Sequence, residues 1–359
     1  MEAWILDENF RAILLIDSFI SFIWTERYIG TGDFELYARA DINLLNTIKK
    51  EYYVYTPESD ELMIVESIQI VTDLEEGPSM VFTGRSLESI LDRRIIWTQT
   101  NISGNLQNSI KKLLNDNVIS PSVSDRKIPN FIFEESKDPA ITSLTHDAQY
   151  TGDNLLEVLQ QICENKHIGF KIHVDANYNF VFKLYSGVDR SYGQSENPYV
   201  IFSPVFENIL NSNYVESDTT LKNVALVAGE GEGKARKTYT VGSASGLKRR
   251  ELFVDARDIQ STDSEGNTMS TSTYNAKLKT RGEEKLSECE LTQTFEGEVD
   301  AMGRQFKYGV DFFIGDVVQF VNEFDMEAKV RVAEYIRSQD TSGYTTYPTF
   351  SVIDKEGDK

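Results

Sequence analysis

Residues 18–39 carry the clearest pattern of apolar and polar positions along the chain, SFISFIWTERYIGTGDFELYAR. Its first half and its second half each alternate with the two-residue period of a β-strand. Gly30 and Gly32, which tolerate positive φ, separate the halves and predict a tight reversal. The first arm has apolar groups on both faces, so we expect this β-hairpin to be covered on two sides. The second face could be covered by other parts of the same domain or by a partner subunit.

The hairpin lies within a first region, residues 1–98, that reads as mostly β. Short apolar runs at 12–16, 52–55, 62–65 and 80–83 alternate with turn residues, as in the Pro57–Asp60 segment. Regular spacing of this kind predicts a small barrel or sandwich. Ser86 is placed to cap a helix at the end of the region, because Leu87, Ile90 and Leu91 then share one face.

Residues 99–190 have a different character and predict an α+β module. Leu106, Ile110 and Leu113 have helical spacing within residues 104–117. A second helix is expected after Asp153, which we take as its N-cap. The apolar runs 169–174 and 180–184 flank turn residues and predict a hairpin. Helices that pack on such a small sheet define an α+β module.

The remainder of the chain predicts a discontinuous second β domain, residues 191–241 and 292–359. Between its two parts, residues 242–291 form an inserted excursion: a loop rich in Ser, Thr, Asp and Gly, then a helix near 274–290. Strand patterns resume at residue 293 and include 317–321, 328–332 and 345–352. The fold class is therefore β-rich α+β.

The net charge of the chain limits the classes of function that we expect. The 359 residues carry a formal net charge of −21, which repels phosphate backbones and anionic lipids, so we expect no specific nucleic-acid binding. The acidic N-terminus lacks the features of a signal peptide, and no apolar run approaches the length of a membrane span. We therefore expect synthesis in the cytoplasm and no stable membrane insertion.

Candidate chemistry is sparse. His146, His167 and His173 lack paired-ligand spacing, and Ser86 is not in a GxSxG context. The glycine-rich segment 229–235 is one residue short of a phosphate loop and contains two glutamates, so a turn between strands is the better interpretation. The sequence predicts no enzyme activity, no cofactor and no metal site.

Several segments taken together resemble a known family. In order along the chain they are WTERY at 24–28, GDFEL at 32–36, GRSL at 84–87, LDRRII at 91–96, YSGVDRS at 185–191, NVALVAGE at 223–230, RRE at 249–251 and VDARD at 254–258. The chain is similar to the tail-associated, baseplate-hub proteins of phages and phage-like particles of Gram-positive bacteria. The similarity spans nearly the whole chain and keeps its order.

The resemblance implies a structural role at the distal end of a virion tail. It implies two tail-tube-like β-barrel domains per chain and a homotrimer whose six barrels mimic a hexameric tube. Implied partners are the distal tail or tail tube ring, a tip, spike or fibre protein, and the tape measure protein. The implied processes are host cell attachment and genome ejection through the channel. The aromatic hairpin would then gain its second cover from a neighbouring barrel, which makes these residues candidates for a subunit interface: Phe22, Trp24, Tyr28, Phe34 and Leu36.

Two alternative functions remain open at this point. A carbohydrate-binding adhesin would stack exposed aromatic residues on sugar rings, with Trp97, Tyr192 and Tyr344 as candidates. A cell-wall hydrolase is the enzymatic alternative. Relatives with a receptor-binding or wall-degrading module after the hub would continue beyond a position such as Lys359, where this sequence ends.

Overall fold

A computed structural model describes residues 1–73, 77–262, 266–299, 305–324 and 327–353. Strands dominate it, and they form one large sheet and three small ones. The first region contributes seven strands and a short helix: β1 (Ala3–Leu6), β2 (Ala12–Ile16), β3 (Ser21–Arg27), β4 (Asp33–Arg39), α1 (Ile42–Thr47), β5 (Tyr53–Tyr55), β6 (Leu62–Asp73) and β7 (Gly77–Ser86).

These seven strands form the first lobe, in the order β3-β4-β7-β6-β5-β1-β2, with antiparallel pairing throughout. The predicted hairpin is confirmed as β3 and β4, with Phe22 opposite Leu36 and Trp24 opposite Phe34. Alternate side chains of both strands point into a core of their own, in which Trp24 is fully buried. The predicted helix after Ser86 is a 3-10 helix, Leu87–Arg93, and the Ser86 side chain does not cap it.

The residues predicted as an α+β module form helices and two small sheets. β11 and β12 form the predicted hairpin, and β9 joins β12 in parallel. Asn154, and not Asp153, caps α4, because its side chain accepts hydrogen bonds from the Leu156 and Glu157 amides while Asp153 binds the Thr151 amide. The elements are β8 (Thr100–Ile102), α2 (Leu106–Leu114), β9 (Phe131–Glu134), α3 (Pro139–Thr142), β10 (Ala148–Tyr150), α4 (Leu155–Lys166), β11 (Gly169–Val174) and β12 (Phe180–Tyr185).

The last region contains a second lobe and an insertion. Its elements are β13 (Ile201–Phe202), β14 (Ile209–Ser217), β15 (Val224–Ala228), β16 (Thr238–Val241), β17 (Glu251–Asp255), α5 (Thr271–Ser287), β18 (Thr292–Val299), β19 (Val317–Val321), β20 (Glu327–Asp340) and β21 (Gly343–Val352). The second lobe has the strand order β14-β18-β21-β20-β19-β13 around a core that contains Phe202, Phe320 and Phe350.

The insertion is larger than the sequence indicated. β15 and β16, predicted from their sequence patterns to belong to the second β domain (191–241), instead share a three-stranded sheet with β17. Val227 and Val241 pack with Tyr274 and Leu278 of α5 in a separate core. The reason is the parallel pairing of β15 with β17, a contact between segments that no local pattern reveals.

The two lobes are parts of a single 13-stranded sheet. The first half of β20 pairs with β19 in the second lobe, and its second half pairs with β3 in the first lobe. An irregularity between Val332 and Glu334 marks the change. No pairing joins β2 to β3 or β13 to β14 within the described ranges, so neither lobe is closed into a barrel there. Among the helices of these same ranges, none has the length and apolar character that crossing a bilayer requires.

The burial of Trp24 in the core of the first lobe leads to a prediction about stability. Trp24→Ala removes a fully buried indole and is expected to lower the free energy of unfolding by about 3–5 kcal/mol. Urea unfolding, followed by circular dichroism at a concentration too low for self-association, measures the change. Trp97→Ala is the matched control, because Trp97 is 55 % exposed and surface substitutions stay within about 0.5 kcal/mol. Equal losses in the two variants would contradict the assignment of Trp24 to the core.

Candidate functional site at the junction of the lobes

The junction between the lobes contains a buried group of charged side chains, centred on Glu26. Glu26 has the same strand parity as Phe22 and Trp24, so β3 points it inward. Arg337 of β20 lies directly opposite Trp24 in the β3–β20 ladder and therefore projects from the same face. Both side chains are almost fully buried.

Glu26 accepts hydrogen bonds from three parts of the chain. Arg337 Nη1 donates to its Oε1 at 2.6 Å and Ser59 Oγ donates to the same oxygen at 2.5 Å. The Tyr308 hydroxyl donates to Oε2 at 2.5 Å. Charge-assisted bonds of this kind are the strong ones, and they satisfy a carboxylate that would otherwise be costly to bury.

Two stacked aromatic rings lie beside the guanidinium of Arg337. The rings of Tyr308 and Tyr335 stack with centroids 3.8 Å apart. The Arg337 guanidinium carbon lies 5.1 Å from the Tyr308 centroid and 4.9 Å from the Tyr335 centroid. Cation–π contacts therefore hold the arginine in the orientation that reaches Glu26.

A second, partly buried ion pair connects the α+β module to the first lobe. Lys171 Nζ of β11 lies 2.5 Å from Glu61 Oε1. Nearby, Glu88 of the 3-10 helix accepts a hydrogen bond from the Ile172 amide at 2.6 Å and another from Ser86 Oγ. Ser86 Oγ also accepts a hydrogen bond from the Gly32 amide at 2.8 Å, which explains why this side chain is not free to cap the helix.

The protonation of this group follows from its composition of three carboxyls and two cations. Burial acts to raise the pKa of Glu26, but the positive charges of Arg337 and Lys171 outweigh it, and the pKa lies below its usual value. Burial raises the pKa of Glu61 to about 8 and also raises the pKa of Glu88. The raised pKa of Glu61 therefore favours a proton on this carboxyl at neutral pH, which lowers the negative charge of the cluster.

Two cavities lie beside this cluster, and both are lined by Tyr308 and Arg337. The larger has a volume of about 620 Å³ and includes Tyr344 and Glu58 in its wall. The smaller has a volume of about 270 Å³ and includes Glu61 and Lys171. The cluster is thus an anchor between three parts of the chain, with open space on its flanks. Within the described ranges, no group of three or more His, Cys, Asp or Glu side chains is arranged to hold a metal ion.

The five candidate interface residues lie within the protein. Phe22, Trp24, Phe34 and Leu36 belong to the core of the first lobe, and Tyr28 belongs to that of the second. Each is at most 2 % exposed, so their own chain already covers these side chains. Their part in a subunit interface stays a prediction. In such an interface, the outward-facing residues of the hairpin would make the direct contacts.

The other candidates from the sequence are distributed over the fold. Trp97, Tyr192 and Tyr344 are exposed, and saccharide binding by them stays a prediction. His146 is buried against Tyr150, whereas His167 ends α4 in a left-handed conformation. The glycine-rich segment 229–235 connects β15 to β16 and contains a short 3-10 turn, as the turn interpretation predicted.

Sequence reasoning missed the junction cluster. One signal was present, because Glu26 interrupts the apolar face that Phe22, Trp24 and Tyr28 define. A lone carboxylate on such a face indicates a buried partner. That partner, Arg337, is 311 residues away in sequence, and no spacing rule connects the two.

Three solved structures share this fold over nearly their whole length. A tail protein from Neisseria meningitidis MC58 has a TM-score of 0.57 at 12% identity, covering 98% of this chain and 96% of that one. Prophage tail protein gp18 from Listeria monocytogenes EGD-e has a TM-score of 0.56 at 14% identity, covering 99% and 96%. The 43 kDa tail protein of prophage MuSo2 from Shewanella oneidensis has a TM-score of 0.56 at 12% identity, covering 98% of each chain.

Two lobes that share one sheet, with an α+β module anchored at their junction, define a phage-type tail protein fold. Within that class, the chain belongs to the Siphovirus ReqiPepy6 Gp37-like protein family, whose model matches residues 2–350. The predicted resemblance to phage tail proteins is thereby confirmed. No curated protein matches the chain at a significant level.

The Glu26–Arg337 pair makes a stability prediction. Arg337→Met leaves Glu26 buried without its main cation and is expected to cost about 3–5 kcal/mol of the free energy of unfolding. The control is Arg257→Met, which removes an exposed pair with Asp255, and such pairs contribute at most about 1 kcal/mol. Urea unfolding compares the two. In the double variant Glu26→Met/Arg337→Met the loss should be smaller than in Arg337→Met alone; a larger loss would contradict the proposed pairing.

The proton held by the cluster predicts a pH dependence. A carboxyl whose pKa is higher in the folded chain than in the unfolded chain contributes stability that is lost as the pH rises through the folded value. For Glu61, whose pKa is raised from 4.5 to about 8 by folding, stability should therefore fall as the pH rises from about 4.5 to about 8 and level off above that. Urea midpoints measured across this range should decline less in Glu61→Gln than in the parent chain. Parallel curves would show that Glu61 does not hold the proton.

Proposed function

We propose that this chain is the structural hub of a baseplate or tail tip, which assembles as a trimeric, pseudo-hexameric ring. One observation carries the proposal: each chain has two sheet lobes with separate cores, and both belong to one sheet. Three chains with two barrel-like lobes each would supply six lobes. Six lobes can match a six-fold tube on one side while the assembly keeps the three-fold symmetry of the tip on the other.

Rigid attachment between the lobes supports this assembly. A ring closes only if its units keep a constant angle, and the shared β20 strand with the buried Glu26–Arg337 pair holds the two lobes in one orientation. In some proteins, buried ion pairs of this kind serve to fix a single arrangement of the chain.

The charge of the chain suits a conduit. Three copies at −21 each carry about −63 in total, and acidic groups around the bore would keep DNA from adhering as it passes. In this role the ring joins the tail tube or distal tail ring to a tip, spike or fibre protein at the distal end of the tail. It lets the tape measure protein or DNA pass through its centre.

Mass photometry and electron microscopy of the purified full chain test the proposal. Three chains of 40.8 kDa should give particles of about 122 kDa with three-fold symmetry and an axial channel. The single variant Arg337→Met, if it remains folded, should give fewer closed rings, because the angle between the lobes loses its main constraint. Particles that stay monomeric, or closed discs without a channel, would overturn the proposal.

A further inference from the structure

The segment that follows the 3-10 helix Leu87–Arg93 and the loop after α2 together expose an aromatic and cationic surface that the junction does not use. Its members are Trp97, Ile95, Val123, Arg94 and Arg126, which we call the Trp97 patch. Trp97 is 55 % exposed, Val123 is 42 % exposed and Ile95 is 41 % exposed. Large apolar side chains grouped with arginine on a surface are typical of interaction sites.

The patch is held in a defined geometry by Asn117. This residue lies in a π-helical turn, Asn115–Ile119, that continues α2, and turns of this kind occur frequently at functional sites. Its side chain is buried, donates to the Leu113 carbonyl at 2.9 Å, and accepts from the Trp97 amide at 3.1 Å. The Asn117 oxygen also accepts from Arg126 Nη2 at 3.1 Å.

Arg126 is fixed above the indole. Its guanidinium carbon lies 4.9 Å from the Trp97 ring centroid, and Nη2 donates to the Ile95 carbonyl at 2.6 Å. Because the side chain is already ordered, little conformational entropy would be lost when a partner binds. Tryptophan and arginine are also the residues most enriched among interface hot spots.

The cations of the patch have no carboxylate partner in the part of the chain that the structure describes. Arg94 donates to the Arg126 and Arg93 carbonyls, at 2.8 Å and 2.9 Å, and Arg126 donates only to carbonyl and amide oxygens. Burial, followed by the positive charge of Arg94, lowers the pKa of Arg126. In the insertion, by contrast, Arg249 pairs with Glu251 and Arg250 with Asp218.

The surrounding sequence makes the contrast sharper. Residues 93–127 contain six basic and two acidic residues, a net charge of +4, whereas the whole chain carries −21. Three of the six basic residues are paired with carboxylates, Arg93 with Glu51, Lys111 with Glu135 and Lys112 with Asp116, which leaves the arginines of the patch as cations without such a partner among the described residues. Outside residues 93–127, the chain therefore carries −25. A second copy thus offers a predominantly acidic surface that complements this segment, and complementary charge guides and orients association.

We propose that the Trp97 patch docks on an acidic surface of a second copy of this chain, with Trp97 as the apolar anchor and the two arginines as the charged contacts. The inference rests on the trimeric function proposed above and assigns to that assembly one of its contact surfaces. It also gives the exposed indole a protein partner in place of the sugar ring that an adhesin would require.

Sedimentation velocity and mass photometry of the full chain over a range of concentrations test the inference. The test variants are Arg94→Gln/Arg126→Gln and Trp97→Ala. The matched control, Arg249→Gln/Arg250→Gln, makes the same change in net charge at arginines that already have partners. Circular dichroism melting checks that each variant is folded.

The parent chain and the control should form trimers at the same concentration. Each test variant should need about 30-fold more protein, as expected for the loss of a hot spot. Added salt should weaken association of the parent chain more than that of the arginine variant, because the charged contacts are screened.

Other outcomes separate the two proposals. Folded test variants that associate like the parent chain would overturn the docking role of the patch and leave the trimeric hub intact. An equal loss in the control would assign the effect to general charge and would also overturn it. A parent chain that is monomeric at every concentration would overturn the hub proposal and the docking inference together.

Discussion

The pairing of β3 with β20, completed by the buried contact between Glu26 and Arg337, is the constraint on which the architecture depends. It places a segment near the start of the chain beside one near its end and converts two groups of strands into a single sheet. A carboxylate inside an apolar core is tolerated only with its partner in place. The ion pair therefore discriminates against any register of the two strands in which the charges do not meet.

Tyr28 extends the same constraint to the α+β module. Its ring fills the space above Gly169 and Gly315, where an added Cβ would lie 2.6 Å and 2.3 Å from ring carbons. The hydroxyl donates to the His167 carbonyl at 3.1 Å. One aromatic side chain thus contacts the module and the second lobe at once, and glycine is required at both positions because any larger residue would displace it. Lobes and module are consequently positioned by one short segment, residues 26–28, at the end of β3.

The charged groups at the junction connect different parts of the fold. The titratable groups at the junction are engaged with one another, and a proton on Glu61 lowers the negative charge of the cluster. The chain as a whole is acidic, whereas the Trp97 patch is basic and aromatic, so different faces of the protein differ in charge. In a ring with head-to-tail contacts, each subunit contacts its two neighbours through two different surfaces, and faces that differ in charge suit such contacts.

The sequence by itself determined what depends on neighbouring residues: the β3–β4 hairpin, the α+β character of residues 99–190, the strand-rich second half, and the similarity to phage tail proteins. The first three follow from periodicity and turn chemistry, which act over a few residues. The similarity to phage tail proteins rests instead on short segments that keep their order along the chain. Only the tertiary structure decided that Arg337 meets Glu26, that β15 pairs with β17 and so enlarges the insertion, and that Trp24 is covered by its own chain. The pairing of strands depends on burial and register between segments that are far apart in sequence. A local pattern therefore predicts a strand but does not identify the strand with which it pairs.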